Sequence, residues 1–333
     1  MRTQKAVIMN KIKFYFILSM LSLGLFSCSK SGNDVETVPL RDYATQYATE
    51  IKDIEEYLKT YYIEEVTADF DIKISKIPTG GTQKSVWDQT MYPLKFREVD
   101  LHGVKYKLYY LILNQGVGES PTNVDAVFTA YKGSLLDGTV FDVSNNAQIQ
   151  FNLDGSSISG GKGVFVKGWP EFFPKLKTGT YTSNADGTVS YKNYGAGVVF
   201  IPSDLAYYDS GSETIPAYSP LVFNVKLYEI QRYDHDGDGI PSYQEDIDGD
   251  GYMYSFTDTT LYPTKPTTNP DDTDSDGVPD CFDVDDDGDN YTTKLERSYK
   301  DANGVTKYYD FANIPLCTGG NGKKRHLDTK CHD

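Results

Sequence analysis

Carboxylate side chains recur at alternate positions in four short segments of this chain, all between residues 234 and 296. The first segment, 234–245 (loop 1), follows the pattern D-x-D-x-D-G-x5-E. Ca²⁺ takes about six to eight oxygen ligands, and alternating carboxylates converge on one point where the chain turns sharply around a glycine at position six. A glutamate at position twelve can then close the shell with both of its oxygens. The predicted ligands of loop 1 are Asp234, Asp236, Asp238, the backbone carbonyl of Ile240, and Glu245.

Three further segments repeat this pattern with changes: 246–257 (loop 2), 272–283 (loop 3) and 285–296 (loop 4). Loop 2 has Thr257 where a glutamate would close the site, and loop 4 has Asn290 in place of the glycine. Asparagine also accepts a positive φ, so the turn remains possible. Loops 1 and 4 resemble EF-hand loops, whereas the spacing of loop 3 resembles thrombospondin type-3 repeats. The further predicted ligands are Asp246, Asp248, Asp250, Asp272, Asp274, Asp276, Asp280, Asp283, Asp285, Asp287, Asp289 and Glu296.

The four loops concentrate the negative charge of the chain. The whole sequence has a formal net charge of −16, and residues 234–296 hold 19 acidic residues against Lys265 and Lys294. Such a segment repels itself unless cations neutralise it, and it excludes nucleic acid as a partner because phosphate binding needs a basic surface. An acidic disordered tail is the alternative, but glycine or asparagine stands at position six of every loop. Because no long amphipathic helices flank the loops, we predict that the calcium is structural and not regulatory.

A second set of residues is aromatic and lies upstream of the loops. Four sequence blocks follow one another between residues 131 and 230: YKGSLLDGTVFD, VKGWPEFFPKLKTG, IPSDLAYYDSG and TIPAYSPLVFNVKLYEI. In this order they resemble the FKBP-type peptidyl-prolyl cis-trans isomerases, over roughly residues 104–232. The resemblance implies an α+β fold, in which an FKBP-like antiparallel sheet wraps on a short helix. It also implies catalysis without a cofactor, and proline-containing polypeptides as partners.

Isomerisation of an Xaa-Pro bond needs a pocket and no nucleophile. The barrier is about 18–20 kcal/mol because amide resonance is lost when the bond twists. A dry apolar site that binds the twisted amide better than either planar form lowers this barrier. The resemblance places Trp169 under the prolyl ring and the Tyr207 hydroxyl on a substrate carbonyl. It places Asp142 near the reacting carbonyl and Ile215 on a loop over the pocket. The implied apolar walls are Tyr131, Phe141, Phe151, Val166 and Phe223.

The chain departs from this family pattern at several points. Ile149 stands where an aromatic wall residue is common, and Pro170 directly follows the tryptophan. No basic residue follows Asp142 in the stretch VSNNAQIQF. An insertion at 180–197 carries Asp186-Gly187 between alternating residues, which predicts a β-hairpin. Two roles remain possible for this hairpin: an arm that binds unfolded chains, or an enlarged surface loop without a binding role.

Residues 1–27 have the features of a bacterial lipoprotein signal peptide. Lys11 and Lys13 precede the apolar run FYFILSMLSLGLF, which is too short to span a bilayer as a stable helix. The sequence LFSC resembles a lipobox, so we predict that Cys28 is acylated and anchors the chain to a membrane. The expected location is the bacterial cell envelope, as an outer-membrane lipoprotein facing the periplasm or the surface. The alternative is an ordinary cleaved signal peptide.

The remaining chain divides into segments of different character. Residues 41–62 have apolar side chains at helical spacing, which predicts a helix that packs on the isomerase domain, extends it from the membrane or dimerises. Core strands are predicted at 108–114, 126–131 and 221–230. The predicted parts are a tether at 28–40, a helical N-terminal extension at 41–98, the FKBP-like domain at 99–232, the calcium-binding repeats at 233–296, and a cysteine-containing tail at 297–333.

Three cysteines remain beyond Cys28, at positions 281, 317 and 331. Export implies an oxidising environment, in which one disulfide bond can form and one thiol is left. We favour Cys317–Cys331 because it closes the shortest loop.

Three functions fit these observations. The first is a peptidyl-prolyl isomerase and folding factor for exported proteins, anchored by lipid in the bacterial envelope. The second is a non-catalytic binding module that uses the same pocket, and the third is a calcium-dependent adhesion or assembly protein. Turnover of a short Xaa-Pro peptide separates the first function from the other two.

Overall fold

The computed structural model describes residues 40–145 and 149–332. The predicted signal peptide, Cys28 and the tether up to residue 39 lie outside the described residues. Within the described part of the chain, no helix combines the length and the apolar character needed to cross a bilayer.

Helices are few and strands are many in the described residues. The helices are α1 (Tyr43–Thr60), α2 (Gly168–Phe172) and α3 (Thr293–Glu296), with short 3-10 turns at Ile158–Gly160, Phe173–Lys175, Ser203–Leu205, Ser242–Gln244, Asp280–Phe282, Phe311–Asn313 and Arg325–Leu327. The strands are β1 (Tyr61–Val66), β2 (Ile72–Lys76), β3 (Lys95–Leu101), β4 (Val104–Asn114), β5 (Ala126–Leu135), β6 (Val140–Ser144), β7 (Gln150–Asn152), β8 (Lys162–Gly163), β9 (Thr180–Ser183), β10 (Val189–Lys192), β11 (Gly195–Ile201), β12 (Leu221–Gln231), β13 (Ser298–Lys300) and β14 (Thr306–Tyr308).

The described residues place eight strands in one central sheet, in the order β3-β4-β11-β12-β5-β7-β8, with β6 also paired to β5. All pairs are antiparallel except β7 with β8. The three predicted core strands lie inside β4, β5 and β12, so this part of the prediction is confirmed. The mixture of one large sheet with short helices also confirms the α+β class.

Both faces of the central sheet are covered, which explains the continuous apolar run in β4. Tyr106 and Leu108 belong to the core on the α2 face, while Tyr109 and Leu111 belong to the core on the α1 face. Because successive side chains in a strand point to opposite faces, a strand buried on both faces has no polar alternation.

Helix α1 packs on the central sheet, which is the first of the three roles predicted for it. Its Ile54 and Leu58 are buried, and the Tyr47 hydroxyl accepts a hydrogen bond of 2.7 Å from the backbone of Lys107 in β4. The buried Glu50 carboxylate accepts a hydrogen bond of 2.7 Å from the backbone of Ser203, just before the segment that carries Tyr207. Helix α1 therefore supports one wall of the candidate pocket.

The rest of the predicted helical extension, 41–98, is not helical. The helix ends at Thr60, and the β1–β2 hairpin follows it directly. Strand β3 then begins at Lys95 and pairs with β4, so the chain joins the central sheet before the predicted domain start at 99. Short runs such as YYIEEV and IKISK have no helical periodicity, and cross-strand pairing decides their structure.

The acidic repeats dock against the isomerase-like sheet at the helix that carries Trp169. The buried carboxylate of Glu171 in α2 accepts hydrogen bonds from Arg97 Nε at 2.8 Å and from the Tyr254 hydroxyl at 2.8 Å. The Tyr252 hydroxyl donates to the Glu171 carbonyl at 2.8 Å, and Arg97 stacks over the Tyr252 ring. Loop 2 therefore supports the floor of the candidate pocket.

The C-terminal tail contains the predicted disulfide bond. Cys317 and Cys331 are joined, with their Cα atoms 5.6 Å apart, and Cys281 is a buried free thiol. The short β13–β14 hairpin follows α3 directly and leads into this disulfide-closed segment.

Candidate functional site

The nine residues predicted to form the isomerase pocket line one cavity of about 380 Å³. They come from β5, β6, β7, α2, β12 and the loops before α2 and after β11, and they meet at one end of the central sheet. The cavity is lined by Tyr131, Phe141, Asp142, Phe151, Val166, Trp169, Tyr207, Ile215 and Phe223, and the structure adds Ile149, Lys162, Gly163, Val164, Phe165, Ser212 and Thr214.

Trp169 forms an aromatic floor. Its indole is only 4% exposed and meets the rings of Tyr131, Phe151 and Phe223 edge to face, with centroids 5.1, 5.3 and 5.3 Å apart. Such edge-to-face pairs fix the orientation of each ring as well as burying its surface. The floor is therefore rigid and apolar, as the binding of a prolyl ring requires.

The polar side of the cavity is held by a hydrogen bond that the sequence did not predict. The Tyr131 hydroxyl donates to Asp142 Oδ2 at 2.7 Å, and the backbone N–H of Val143 donates to Asp142 Oδ1 at 2.8 Å. Tyr131 was predicted only as an apolar wall, but its hydroxyl fixes the acid, which no basic residue follows in the stretch VSNNAQIQF. Burial, followed by this hydrogen bond to Asp142, raises the pKa of Tyr131. The hydroxyl is therefore protonated at neutral pH and acts as the donor.

Tyr207 faces the same polar side. Burial raises the pKa of the Tyr207 hydroxyl, and the nearby Asp142 carboxylate raises it further. The hydroxyl is thus a neutral donor at physiological pH, which suits a hydrogen bond to a substrate carbonyl. Phe165 stacks on Tyr207 with ring centroids 5.3 Å apart, although the Phe165 ring is 64% exposed. Phe165 was not predicted, and its place next to Val166, which was predicted as a wall residue, was the available signal.

We expect Tyr131→Phe to lower kcat/KM for Xaa-Pro isomerisation about fivefold. The variant keeps the ring on Trp169 but loses a hydrogen bond worth about 1 kcal/mol. Tyr181→Phe is the matched control, because Tyr181 lies on β9 and is 64% exposed. Equal kcat/KM values for wild type and Tyr131→Phe would show that the orientation of Asp142 does not matter.

The predicted hairpin in the insertion is present. Strands β9 and β10 are antiparallel, with Thr180 opposite Lys192 at one end and Ser183 opposite Val189 at the other. Gly187 in the turn has a φ of 84°. The Tyr191 ring stacks on Tyr228 of β12 at 4.8 Å, which fixes the base of the hairpin to the sheet.

The acidic loops share one backbone conformation. Position six has a positive φ in every loop, with values of 99°, 88°, 103° and 75° at Gly239, Gly251, Gly277 and Asn290. Position four also has a positive φ in every loop, even where it is Ser275. This repetition shows four copies of one turn, each of which gathers the carboxylates of its first, third and fifth positions.

Most of the predicted metal ligands are brought together. In each loop the three alternating aspartates place ligand atoms within 4.8 Å of one another. The sets are Asp234, Asp236 and Asp238; Asp246, Asp248 and Asp250; Asp272, Asp274 and Asp276; and Asp285, Asp287 and Asp289.

Two predicted ligands make other contacts. Asp280 accepts hydrogen bonds from Thr273 N at 2.8 Å and Thr273 Oγ1 at 2.9 Å. Asp283 accepts from the backbone of Asp285 at 2.9 Å, so it caps the start of loop 4. Neither belongs to a carboxylate cluster among the described residues. Spacing alone could not reveal these local hydrogen bonds.

Two acidic residues that the sequence analysis left out lie at the loops. Asp271 accepts a hydrogen bond of 2.7 Å from the backbone of Ile247 in loop 2. Burial, and then the loop 2 aspartates, raise the pKa of Asp271 to about 7. Asp286 forms a cluster with Asp236 and Glu245 of loop 1. In the run DVDDDGD, Asp286 is an additional aspartate between positions one and three of loop 4. This extra carboxylate is the sequence feature that could have indicated a further ligand.

Buried carboxylates of loops 1 and 4 fit a hard cation. Both oxygens of Glu245 and both oxygens of Glu296 are buried without a hydrogen-bond partner among the described residues. Burial, and then neighbouring carboxylates, raise the pKa of Glu245 to about 11 and that of Glu296 to about 9. An isolated buried carboxylate is strongly unfavourable, whereas a bound Ca²⁺ supplies the missing positive charge and accepts these oxygens as ligands.

The region that forms the pocket is similar to a known protein family. The family described as FKBP-type peptidyl-prolyl cis-trans isomerase matches residues 118–228, and the family described as BamM C-terminal matches residues 235–324. The FKBP-type peptidyl-prolyl cis-trans isomerase FkpA of Escherichia coli strain K12 is 29% identical over 176 residues, which cover 51% of this chain and 56% of the relative. The probable FkpA of Neisseria meningitidis serogroup B is 36% identical over 126 residues, which cover 37% and 38%.

A solved structure of FkpA from Escherichia coli is 32% identical and covers 38% of this chain and 48% of that chain, with a TM-score of 0.28. The chain thus spans about half the length of the first curated relatives it matches, 56% in the case of E. coli FkpA. All nine predicted pocket residues lie inside the matched range 118–228.

Proposed function

We propose that this chain catalyses isomerisation of Xaa-Pro bonds in polypeptides, because its residues 118–228 match the family described as FKBP-type peptidyl-prolyl cis-trans isomerase. The observation that supports this most is the convergence of nine predicted residues on one cavity with Trp169 as its floor. Exported proteins are the proposed substrates, because the sequence begins with the features of a signal peptide.

The cavity offers what the reaction needs. The prolyl ring packs on Trp169, and the surrounding aromatic rings keep water away from the amide. Twisting the bond weakens the carbonyl dipole and localises the nitrogen lone pair, so a dry site stabilises the twisted form relative to water. The Tyr207 hydroxyl and the fixed Asp142 carboxylate orient the substrate backbone. No covalent intermediate or cofactor is required, and the rate gain comes from differential binding.

Refolding of a protein limited by prolyl isomerisation tests the folding-factor role. Catalytic amounts of the full chain should shorten the slow refolding phase, which lasts tens to hundreds of seconds without a catalyst. Refolding that is unchanged would limit the chain to short peptides or to binding alone.

The chain is proposed to be a lipoprotein of the bacterial envelope. Cys28→Ala should release the exported protein from membranes in a bacterium that acylates lipoproteins, because the lipid is the proposed anchor. The measurement is the fraction of protein in the membrane pellet, with Ser29→Ala as the control that should stay in the pellet. A Cys28→Ala protein that still sediments with membranes would place the anchor elsewhere.

Calcium is proposed to be structural and to hold loops 1 to 4. The support is the repeated turn conformation and the buried carboxylates that have no hydrogen-bond partner in the described residues. Loop 2 contacts the floor helix α2, so ordered loops also stabilise the pocket from outside. The ions take no part in the reaction itself.

A non-catalytic binding role is the second candidate. It is favoured by the β9–β10 hairpin, on which Tyr181 and Val189 are 64% and 45% exposed. Exposed apolar side chains on an extended arm suit contact with unfolded polypeptides. This role predicts binding of an unfolded chain without acceleration of a short Xaa-Pro peptide.

A further inference from the structure

Loops 1 and 4 lie far apart in the sequence but pack directly against each other. Lys294 Nζ, near the end of loop 4, donates to the Gly237 carbonyl of loop 1 at 2.8 Å. Arg297 Nη1 donates to the Asp238 carbonyl at 2.8 Å and lies close to Gly239. Both cations therefore bind the backbone of loop 1, so loop 4 holds loop 1 in place.

Asp286 belongs to loop 4 in the sequence, but its side chain lies beside ligands of loop 1. It stands between Asp285 and Asp287, which belong to the loop 4 cluster, but its own carboxylate clusters with Asp236 and Glu245 of loop 1. One ligand atom of each of these three residues lies within 4.8 Å of the other two. The side chain of Asp286 is therefore directed into the site of the neighbouring loop.

The carboxylates of Asp286 and Glu245 are deeply buried and unpaired. Each residue is 2% exposed, and no hydrogen-bond partner for their carboxylate oxygens occurs in the described part of the chain. The nearby carboxylates of Asp280, Asp238 and Asp236 act on both Asp286 and Glu245. Burial of several like charges together is strongly unfavourable unless a cation lies among them.

We propose that Asp286 is a ligand of the calcium ion held by loop 1, so that loop 4 completes the loop 1 site. An ion in loop 4 draws in Asp285 and Asp287 and thereby fixes the intervening Asp286 toward Glu245. An ion in loop 1 fixes Asp286 from the other side. The two ions consequently bind with positive cooperativity, since each arranges ligands for the other. This inference rests on the proposed calcium role of the loops.

The test is calcium titration of the metal-free full chain by calorimetry, for wild type and Asp286→Asn. We expect Asp286→Asn to lower the calcium affinity of the cooperative phase about tenfold or more, because a charged ligand is lost. The variant should also unfold at a higher temperature than wild type without calcium, since it removes an uncompensated buried charge. Asp310→Asn is the matched control, because Asp310 is exposed, lies outside the four loops and should leave the cooperative phase unchanged.

Glu245→Gln and the double variant Glu245→Gln with Asp286→Asn complete the test. If both side chains bind one ion, their effects on calcium affinity are strongly non-additive. Additive effects, or a cooperative phase in Asp286→Asn equal to that of wild type, would overturn the assignment while leaving the structural calcium role intact. Absence of calcium uptake by wild type would instead overturn the proposed calcium role, and the inference with it.

Discussion

Removal of calcium from the full chain should make residues 234–296 susceptible to cleavage during limited proteolysis. Without the ions, buried carboxylates such as Glu245 and Glu296 have no compensating charge, and loops 1 and 4 separate. A site with free calcium at 100 times its Kd contributes about 2.7 kcal/mol to the stability of the folded state. Four such sites would contribute about 11 kcal/mol, which is comparable with the whole unfolding free energy of a typical domain. The measurement is limited proteolysis with mass mapping of the cleavage sites.

The central sheet provides the internal reference for this experiment. Strands β4, β5, β11 and β12 hold the pocket by their own pairing and should stay resistant with or without chelator. Restoring calcium should restore protection, while the double variant Glu245→Gln with Glu296→Gln should be cleaved even with calcium. Equal cleavage of 234–296 in both conditions would mean that calcium does not hold the loops.

The substitution Phe141→Ala should cause the largest loss of isomerase activity among pocket variants that still fold. Phe141 forms a cavity wall and meets the Phe223 ring edge to face, with centroids 5.5 Å apart. Removing the ring lets water reach the twisting amide and takes away apolar contact with the substrate. A loss of about 2 kcal/mol in transition-state binding corresponds to roughly a 30-fold lower kcat/KM.

Phe96→Ala is the matched control for this variant. Phe96 lies on β3, is 51% exposed, and packs near Tyr109 on the other face of the sheet, away from the cavity. Circular dichroism and thermal melting of both variants separate loss of fold from loss of activity. A Phe141→Ala protein that is folded and retains wild-type kcat/KM would exclude this cavity as the isomerase site.

Local sequence signals predicted much of the fold. The apolar runs in β4, β5 and β12, the helical spacing after residue 41 and the Asp186-Gly187 turn each depend on residues close in the chain. The disulfide pairing followed from loop length. The β1–β2 hairpin was missed because its short strands have no periodic pattern, and their pairing depends on the loop between them.

The candidate pocket could be predicted because its residues occur in four ordered blocks. The hydrogen bond from Tyr131 to Asp142 could not be predicted, since the position of a tyrosine in the sequence does not show where its hydroxyl points. The same limit applies to Asp286, which stands in loop 4 but faces loop 1. Contacts between distant segments arise from packing, and spacing within one loop contains no information about them.

Isomerisation of a short Xaa-Pro peptide, followed by NMR exchange spectroscopy with the calcium-loaded full chain, tests the central claim most directly. We expect catalytic amounts of wild type to accelerate cis-trans exchange, Phe96→Ala to do so equally, and Phe141→Ala to have a kcat/KM roughly 30-fold lower. A folded, calcium-loaded wild type that leaves the exchange rate at its uncatalysed value would contradict the account and make the chain a binding module.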